Sequence, residues 1–182
     1  MVKKQALVIT LLTLVILTVG CSSETESAIE NENIIVIKSV LQQQFTTDQE
    51  WVELYEKVST LVEQIPPDLE LIEKIITEGD SYIETKYKSY FTENMYEKFI
   101  ILYATQFQIY TNFIFNVESV DVIQNEFTKG AYDFTVNVIY KKGNEEEKKA
   151  KVIGRAHIYE QGKISNIDYR DYGGLYEALK ER

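Results

Sequence analysis

The 182-residue sequence predicts an α+β fold in which N-terminal amphipathic helices pack on a four-stranded antiparallel meander. Between residues 34 and 103, apolar residues recur at three- and four-residue spacing, which is typical of helices with one buried face. From about residue 113 onward, apolar residues occupy alternate positions, which is typical of strands covered on one side. Because only short turns separate these strands, we expect neighbouring strands to pair in chain order.

Composition and charge exclude several classes of protein. The chain has 19 Lys and Arg against 29 Asp and Glu, a net charge of -10, which disfavours binding to a nucleic-acid backbone. A hydrophobic fraction of 45% with only 8 Gly and 2 Pro excludes disordered and collagen-like chains. One Cys and one His provide neither a disulfide framework nor the ligand set of a zinc site, so no metal or cofactor is expected.

Three helices are expected at the start of the folded domain. The first carries Ile34, Ile37, Val40, Leu41 and Phe45 on one face. Thr47 and Glu50 match a capping box, with Thr47 as the N-cap of the second helix. That helix has a predicted apolar stripe of Trp51, Tyr55, Val58, Val62 and Ile65.

Two prolines and a glycine set the expected limits of the next helix. Pro66-Pro67 ends the second helix, because proline lacks an amide donor and the preceding residue avoids helical geometry. The third helix runs from Asp68 towards Glu78, and Gly79 is expected to break or bend it. A further helix follows Thr92, with Tyr96, Phe99, Ile100 and Tyr103 as its apolar residues.

Four strands complete the prediction. Tyr132, Phe134, Val136, Val138 and Tyr140 point to one side of the clearest strand, and a turn at 128–130 joins it to an earlier strand over 113–127. Strands over 150–159 and 164–169 follow. We expect the tail from Leu175 to dock as a last helical turn or to fray.

The N-terminus carries the most specific motif. Lys3 and Lys4 precede an apolar stretch from Ala6 to Leu17, which is the layout of a secretory signal peptide and too short to span a membrane. The following Thr18-Val19-Gly20-Cys21 resembles the lipobox of bacterial lipoproteins, although Thr18 stands where that family usually has Leu. The resemblance implies cleavage between Gly20 and Cys21 and a diacylglyceryl group on the Cys21 sulfur.

The chain is therefore divided into three predicted segments. Residues 1–20 are a lipoprotein signal peptide, residues 21–33 a lipidated flexible tether, and residues 34–182 a single α+β domain. The tether is small, polar and acidic, which favours flexibility. An acidic domain is not attracted to an anionic membrane, so the lipid on Cys21 is expected to hold the protein at the extracytoplasmic face of the cell membrane.

The order of helices and strands resembles a known fold family. Helices followed by an alternating meander, with Gly130 to Tyr140 and Gly162 to Tyr169 in its strands, are similar to the nuclear transport factor 2-like fold. The resemblance implies a cone of curved sheet wrapped on helices. Members of that family include enzymes, ligand binders and assembly modules, so the fold does not fix the function.

Three residues are candidates for a pocket in such a cone. His157 could act as a general base with Asp133 or Asp168 on neighbouring strands as its partner. The alternative is that His157 is a polar residue on the open face of the sheet. The acidic run at 145–147 is interpreted as a solvated hairpin tip, because it lacks the spacing of a calcium loop.

These observations favour a non-enzymatic binding or accessory module. No catalytic residue is assigned, since the sequence contains no nucleophile or phosphate-binding motif. The expected partners are the membrane, through Cys21, and a protein of the bacterial envelope. The alternative is a small-molecule enzyme of isomerase or dehydratase type. The 13 Tyr and 8 Phe could form a binding face or pack in the core.

Overall fold

The computed structural model describes residues 22–180 and has the α+β class that the sequence predicts. The helices are α1 (Ser22–Gln44), α2 (Gln49–Val62), α3 (Leu69–Tyr87), α4 (Glu93–Leu102) and α5 (Leu175–Lys180), with a short 3-10 helix at Lys88–Tyr90. The strands are β1 (Phe113–Gln124), β2 (Ala131–Lys142), β3 (Lys148–His157) and β4 (Asn166–Asp171). The predicted signal peptide and Cys21 lie outside the described residues.

The four strands form one antiparallel sheet in the order β1-β2-β3-β4, which confirms the predicted meander. Val136 in the middle of β2 pairs with Val120 on one side and Val152 on the other. The register shifts between Val117 and Ser119 in β1. Such a bulge bends a strand and increases its twist, so it curves β1, the strand that contacts α1.

The core lies between one face of the sheet and the helices. The alternation predicted for β2 is confirmed, because Tyr132, Phe134, Val136, Val138 and Tyr140 are all buried. Aromatic rings fill much of the remaining space, with the Phe91 and Phe99 ring centroids 4.4 Å apart and those of Phe45 and Phe107 5.1 Å apart. A large part of the aromatic content therefore packs the core.

Helix α1 differs from the prediction at its N-terminal end. It begins at Ser22 and includes most of the segment predicted as a flexible tether. Asn33 is buried, donates from Nδ2 to the Tyr132 hydroxyl (2.9 Å) and accepts at Oδ1 from the Gly162 amide (3.1 Å). These two bonds attach α1 to β2 and to the turn before β4. From its polarity alone, Asn33 was expected to be exposed to solvent.

Helix α2 corrects two details of the prediction. Its N-cap is Asp48, whose Oδ1 accepts from the Trp51 amide (3.2 Å), and the Thr47 hydroxyl instead accepts from the Phe115 amide (2.7 Å). The buried residues of α2 are Val52 and Leu54, so much of the predicted stripe is exposed. Asp48 and not Thr47 caps the helix because the Thr47 hydroxyl is bound by the Phe115 amide of β1, a residue far away in sequence.

Helix α3 runs through Gly79 without the predicted break. A Cβ placed on Gly79 would lie 3.2 Å from Cζ3 of Trp51. The absence of a side chain at Gly79 therefore allows the Trp51 ring of α2 to pack closely against α3. The predicted turn at the C-terminal tail is confirmed as α5, which buries Leu175 and Leu179.

Candidate functional site

The predicted site residues lie on the face of the sheet that does not contact the helices. Asp133 in β2 and Asp168 in β4 both pair in register with Arg155 in β3. His157 lies two residues further along β3, opposite Ala131 and Asn166. The structure thus places Asp133 and Asp168 on the two sides of an arginine, on the open face of the sheet that was the predicted alternative to a pocket.

The Asp133 carboxylate is engaged by several donors. Arg155 donates to it from Nε (2.7 Å) and Nη2 (2.8 Å), Asn125 donates from Nδ2 (2.9 Å), and Arg170 Nη1 lies 3.5 Å away. The hydrogen bonds from Arg155 lower the pKa of Asp133, with a smaller opposing contribution from burial. A carboxylate held ionised by a bidentate arginine is poorly suited to accept a proton from a substrate.

His157 makes a different contact. Its Nδ1 lies 3.2 Å from the Tyr159 hydroxyl, and its main-chain oxygen accepts from Ser165. Asp168 is exposed. Among the contacts recorded within residues 22–180, none joins the His157 ring to Asp133 or Asp168, so a histidine–carboxylate pair is not formed there.

Residues 22–180 contain neither a metal-ligand cluster nor a helix that could span a membrane. Between Ser22 and Lys180, no three or more His, Cys, Asp and Glu side chains are grouped so that they could hold a metal ion. No helix in that part of the chain is long and apolar enough to cross a bilayer.

A polar cluster fixes the base of the α2–α3 pair. We call Asp48, Tyr82, Lys86 and Gln108 the clasp. The Tyr82 hydroxyl donates to both Asp48 oxygens (3.0 and 2.8 Å), Lys86 forms an ion pair with Asp48, and the Asp48 amide donates to Gln108 Oε1 (2.9 Å). Burial would raise the pKa of Asp48, but the hydrogen bonds from Lys86 and Tyr82 leave it lowered.

The segment beyond the clasp is a helical arm, residues 49–80, formed by α2, the Pro66-Pro67 turn and the first part of α3. Its two helices pack chiefly against each other. Three apolar side chains near the turn are strongly exposed: Val62 at 60%, Ile65 at 99% and Leu69 at 71%. The tip of the arm therefore presents apolar groups to solvent.

A groove runs along one side of the arm. It has a volume of about 580 Å³, and its lining residues are Glu53, Glu56, Lys57, Thr60, Leu61, Leu71 and Ile75. Leu61, Leu71 and Ile75 form an apolar floor, and the charged residues of α2 stand along its edge. An apolar floor with a charged rim can bind an amphipathic segment.

Comparisons of the chain with protein-family models, with curated proteins and with solved structures found no match. The assignment of a candidate site therefore depends on the geometry of the structure alone. The sequence pattern did not indicate the clasp or the groove, because Asp48 meets Tyr82 and Lys86 only through the packing of α2 on α3.

Proposed function

We propose that this chain is a lipid-anchored binding or accessory module at the extracytoplasmic face of a bacterial cell membrane, and that its partner is a protein of the envelope. The observation that carries the proposal is Cys21, the single cysteine, placed directly after Thr18-Val19-Gly20 at the end of a short apolar stretch. Two or three acyl chains are sufficient for stable anchoring, at about 0.8 kcal/mol per buried methylene.

The geometry of the candidate residues favours binding over catalysis. The Asp133 carboxylate is occupied by Arg155, and His157 contacts Tyr159 on the open face of the sheet. The arm, by contrast, offers an apolar groove and an exposed apolar tip. Exposed apolar surface of this kind is typical of interaction sites.

We also propose that the domain has a nuclear transport factor 2-like cone. The support is the order of elements, with helices first and a four-stranded meander after them, together with the bulge that bends β1. Such a scaffold carries binding sites of many kinds.

Lipid labelling tests the anchor. Cells expressing the full chain and fed an alkyne-labelled palmitate should label the wild type, while Cys21→Ala should lose both the label and membrane association. Ser22→Ala is the matched control and should behave as the wild type. Unchanged membrane retention of Cys21→Ala with an intact N-terminus would contradict the proposal.

Crosslinking tests the partner. Treatment of native membranes with a short crosslinker, followed by mass spectrometry, should recover an envelope protein joined to this chain. Recovery of no partner, together with a small-molecule activity that His157→Ala abolishes, would favour the enzyme.

A further inference from the structure

We propose that the groove of the arm binds a basic amphipathic helix of the partner protein. This inference rests on the proposed function as a binding module and adds the chemistry of the partner. It commits to one surface, the groove floored by Leu61, Leu71 and Ile75, and to one occupant, a helix with apolar residues on one face and Lys or Arg on the other.

The lining of the groove suits the apolar face of a helix, because Leu61, Leu71 and Ile75 lie together on its floor. Leu71 is 39% exposed on its floor, so it has apolar surface still to bury. A helix laid along the groove would place side chains spaced three and four residues apart over this floor.

The charge of the arm selects a basic partner. Residues 49–80 contain nine Asp and Glu and two Lys, a net charge of -7, out of -10 for the whole chain. Glu53 and Glu56 are exposed along the edge of the groove itself, where they outnumber the exposed Lys57. Lys or Arg on the flanks of a docked helix would face these carboxylates, which raises the association rate and disfavours acidic competitors.

The same charge disfavours two other occupants. A second copy of the chain would bring another arm of net charge -7 against the first, and like charges facing each other across an interface are costly. An anionic bilayer would also repel the arm, although its tip carries the exposed Ile65. Charge therefore separates a basic helix from both alternatives.

Peptide binding to the full chain tests the inference. The chain, purified in non-ionic detergent, is titrated against a fluorescein-labelled Leu–Lys peptide with Leu at helical spacing, and fluorescence anisotropy gives Kd after subtraction of an empty-micelle blank. We expect saturable binding that weakens at high salt, and none by a matched Leu–Glu peptide. Equal binding of the two peptides would overturn the proposal.

Paired variants locate the site. Glu53→Lys with Glu56→Lys should weaken binding about tenfold, as expected for reversed charges at the edge of an interface. Glu145→Lys with Glu146→Lys makes the same charge change at the exposed β2–β3 turn and should leave Kd unchanged. An equal loss in both double variants would show non-specific attraction to an acidic protein and would overturn the assignment.

The apolar floor needs its own variant. Leu71→Ala should weaken the Leu–Lys peptide severalfold, while Ile101→Ala, another exposed apolar residue, should not. Unchanged binding by Leu71→Ala, or binding of the full chain to phosphatidylglycerol vesicles that is lost in Ile65→Ser, would contradict a peptide groove. Palmitate labelling at Cys21 is measured separately, so failure of the groove and failure of the anchor are distinguishable.

Discussion

The body of the molecule and its arm differ in how completely they bury apolar side chains. The body, formed by the sheet with α1, α4 and α5, contains the fully buried Phe45, Phe99 and Phe107. The arm buries Val52, Leu54 and Ile75, which form no part of the main core cluster. One chain thus combines a body with a densely packed aromatic core and an arm that buries few apolar side chains.

The difference indicates where the molecule is stable and where it can respond to a partner. Regions with few buried apolar contacts open at lower free energy than the core does. Because the arm retains exposed apolar surface, a partner can add burial there that the fold does not supply. Four experiments on variants of the body and the arm test this comparison, in order of decreasing expected effect.

The largest effect is expected from emptying the body core. Phe99 is fully buried among Tyr87, Phe91 and Tyr103, so Phe99→Ala should lower the free energy of unfolding by about 3–5 kcal/mol. Urea denaturation followed by far-UV circular dichroism measures the change. Ile101→Ala, on the same helix but 79% exposed, should cost less than about 0.5 kcal/mol.

Two glycines compare how tightly each region is packed. In the body, a Cβ on Gly154 would lie 2.3 Å from the Asp168 carbonyl oxygen and 2.4 Å from Cζ of Phe134, so Gly154→Ala should cost about 1–3 kcal/mol. In the arm, Gly79→Ala should change stability by less than about 1 kcal/mol, because better helix propensity offsets the mild contact with Trp51. Urea unfolding measures both, and a larger loss for Gly79→Ala would reverse the comparison.

The clasp is expected to stabilise the arm against unfolding. Asp48→Asn removes the ion pair with Lys86 and should cost about 1–3 kcal/mol near neutral pH. Since the pKa of Asp48 in the folded state is below its ordinary 3.8, this stabilisation is present above that value and is lost as pH falls through the folded pKa. The gap between wild type and Asp48→Asn should therefore close on acidification.

Hydrogen exchange read by mass spectrometry locates that effect. Amides of α2 and α3 should exchange faster in Asp48→Asn, while those of β2 and β3 should change little. Asp121→Asn, an exposed carboxylate of β1, is the control. Equal acceleration in the sheet would show that the clasp stabilises the whole molecule and not the arm.

The smallest effect is expected on the open face of the sheet. Asp133→Asn disrupts the pair with Arg155, but the two side chains are 39% and 23% exposed, so the loss should be at most about 1 kcal/mol in the urea assay. A loss larger than that of Asp48→Asn would contradict the view that solvent screens this pair.

The sheet and most of the helices could be predicted from local patterns. Alternation in β2 is visible because one face is buried and the other is not, and Gly130 and Gly162, both at positive φ, occupy the turns beside β2 and β4. Asp133 and Arg155 could be assigned to the same face by counting along each strand. Predicting their bidentate ion pair would have required the register of β2 against β3, which local patterns do not determine.

The arm shows where local patterns are insufficient. Apolar residues occur on more than one side of α2, so a helical period fits a stripe that includes the exposed Tyr55 and Ile65. Thr47 and Asp48 are both good N-caps, and the choice between them depends on β1 and on Lys86. Gly79 resembles a helix breaker until the indole of Trp51 is placed against it.

Helix α1 also has a consequence for the distance between membrane and domain. From Ser22 to Asn33, twelve helical residues rise about 18 Å, whereas the same length of extended chain would reach about 40 Å. If the chain is anchored at Cys21 as proposed, residues 22–33 form a short helical spacer of defined length and not a flexible linker. The domain would then remain within a limited distance of the bilayer, which raises the effective concentration of a juxtamembrane partner.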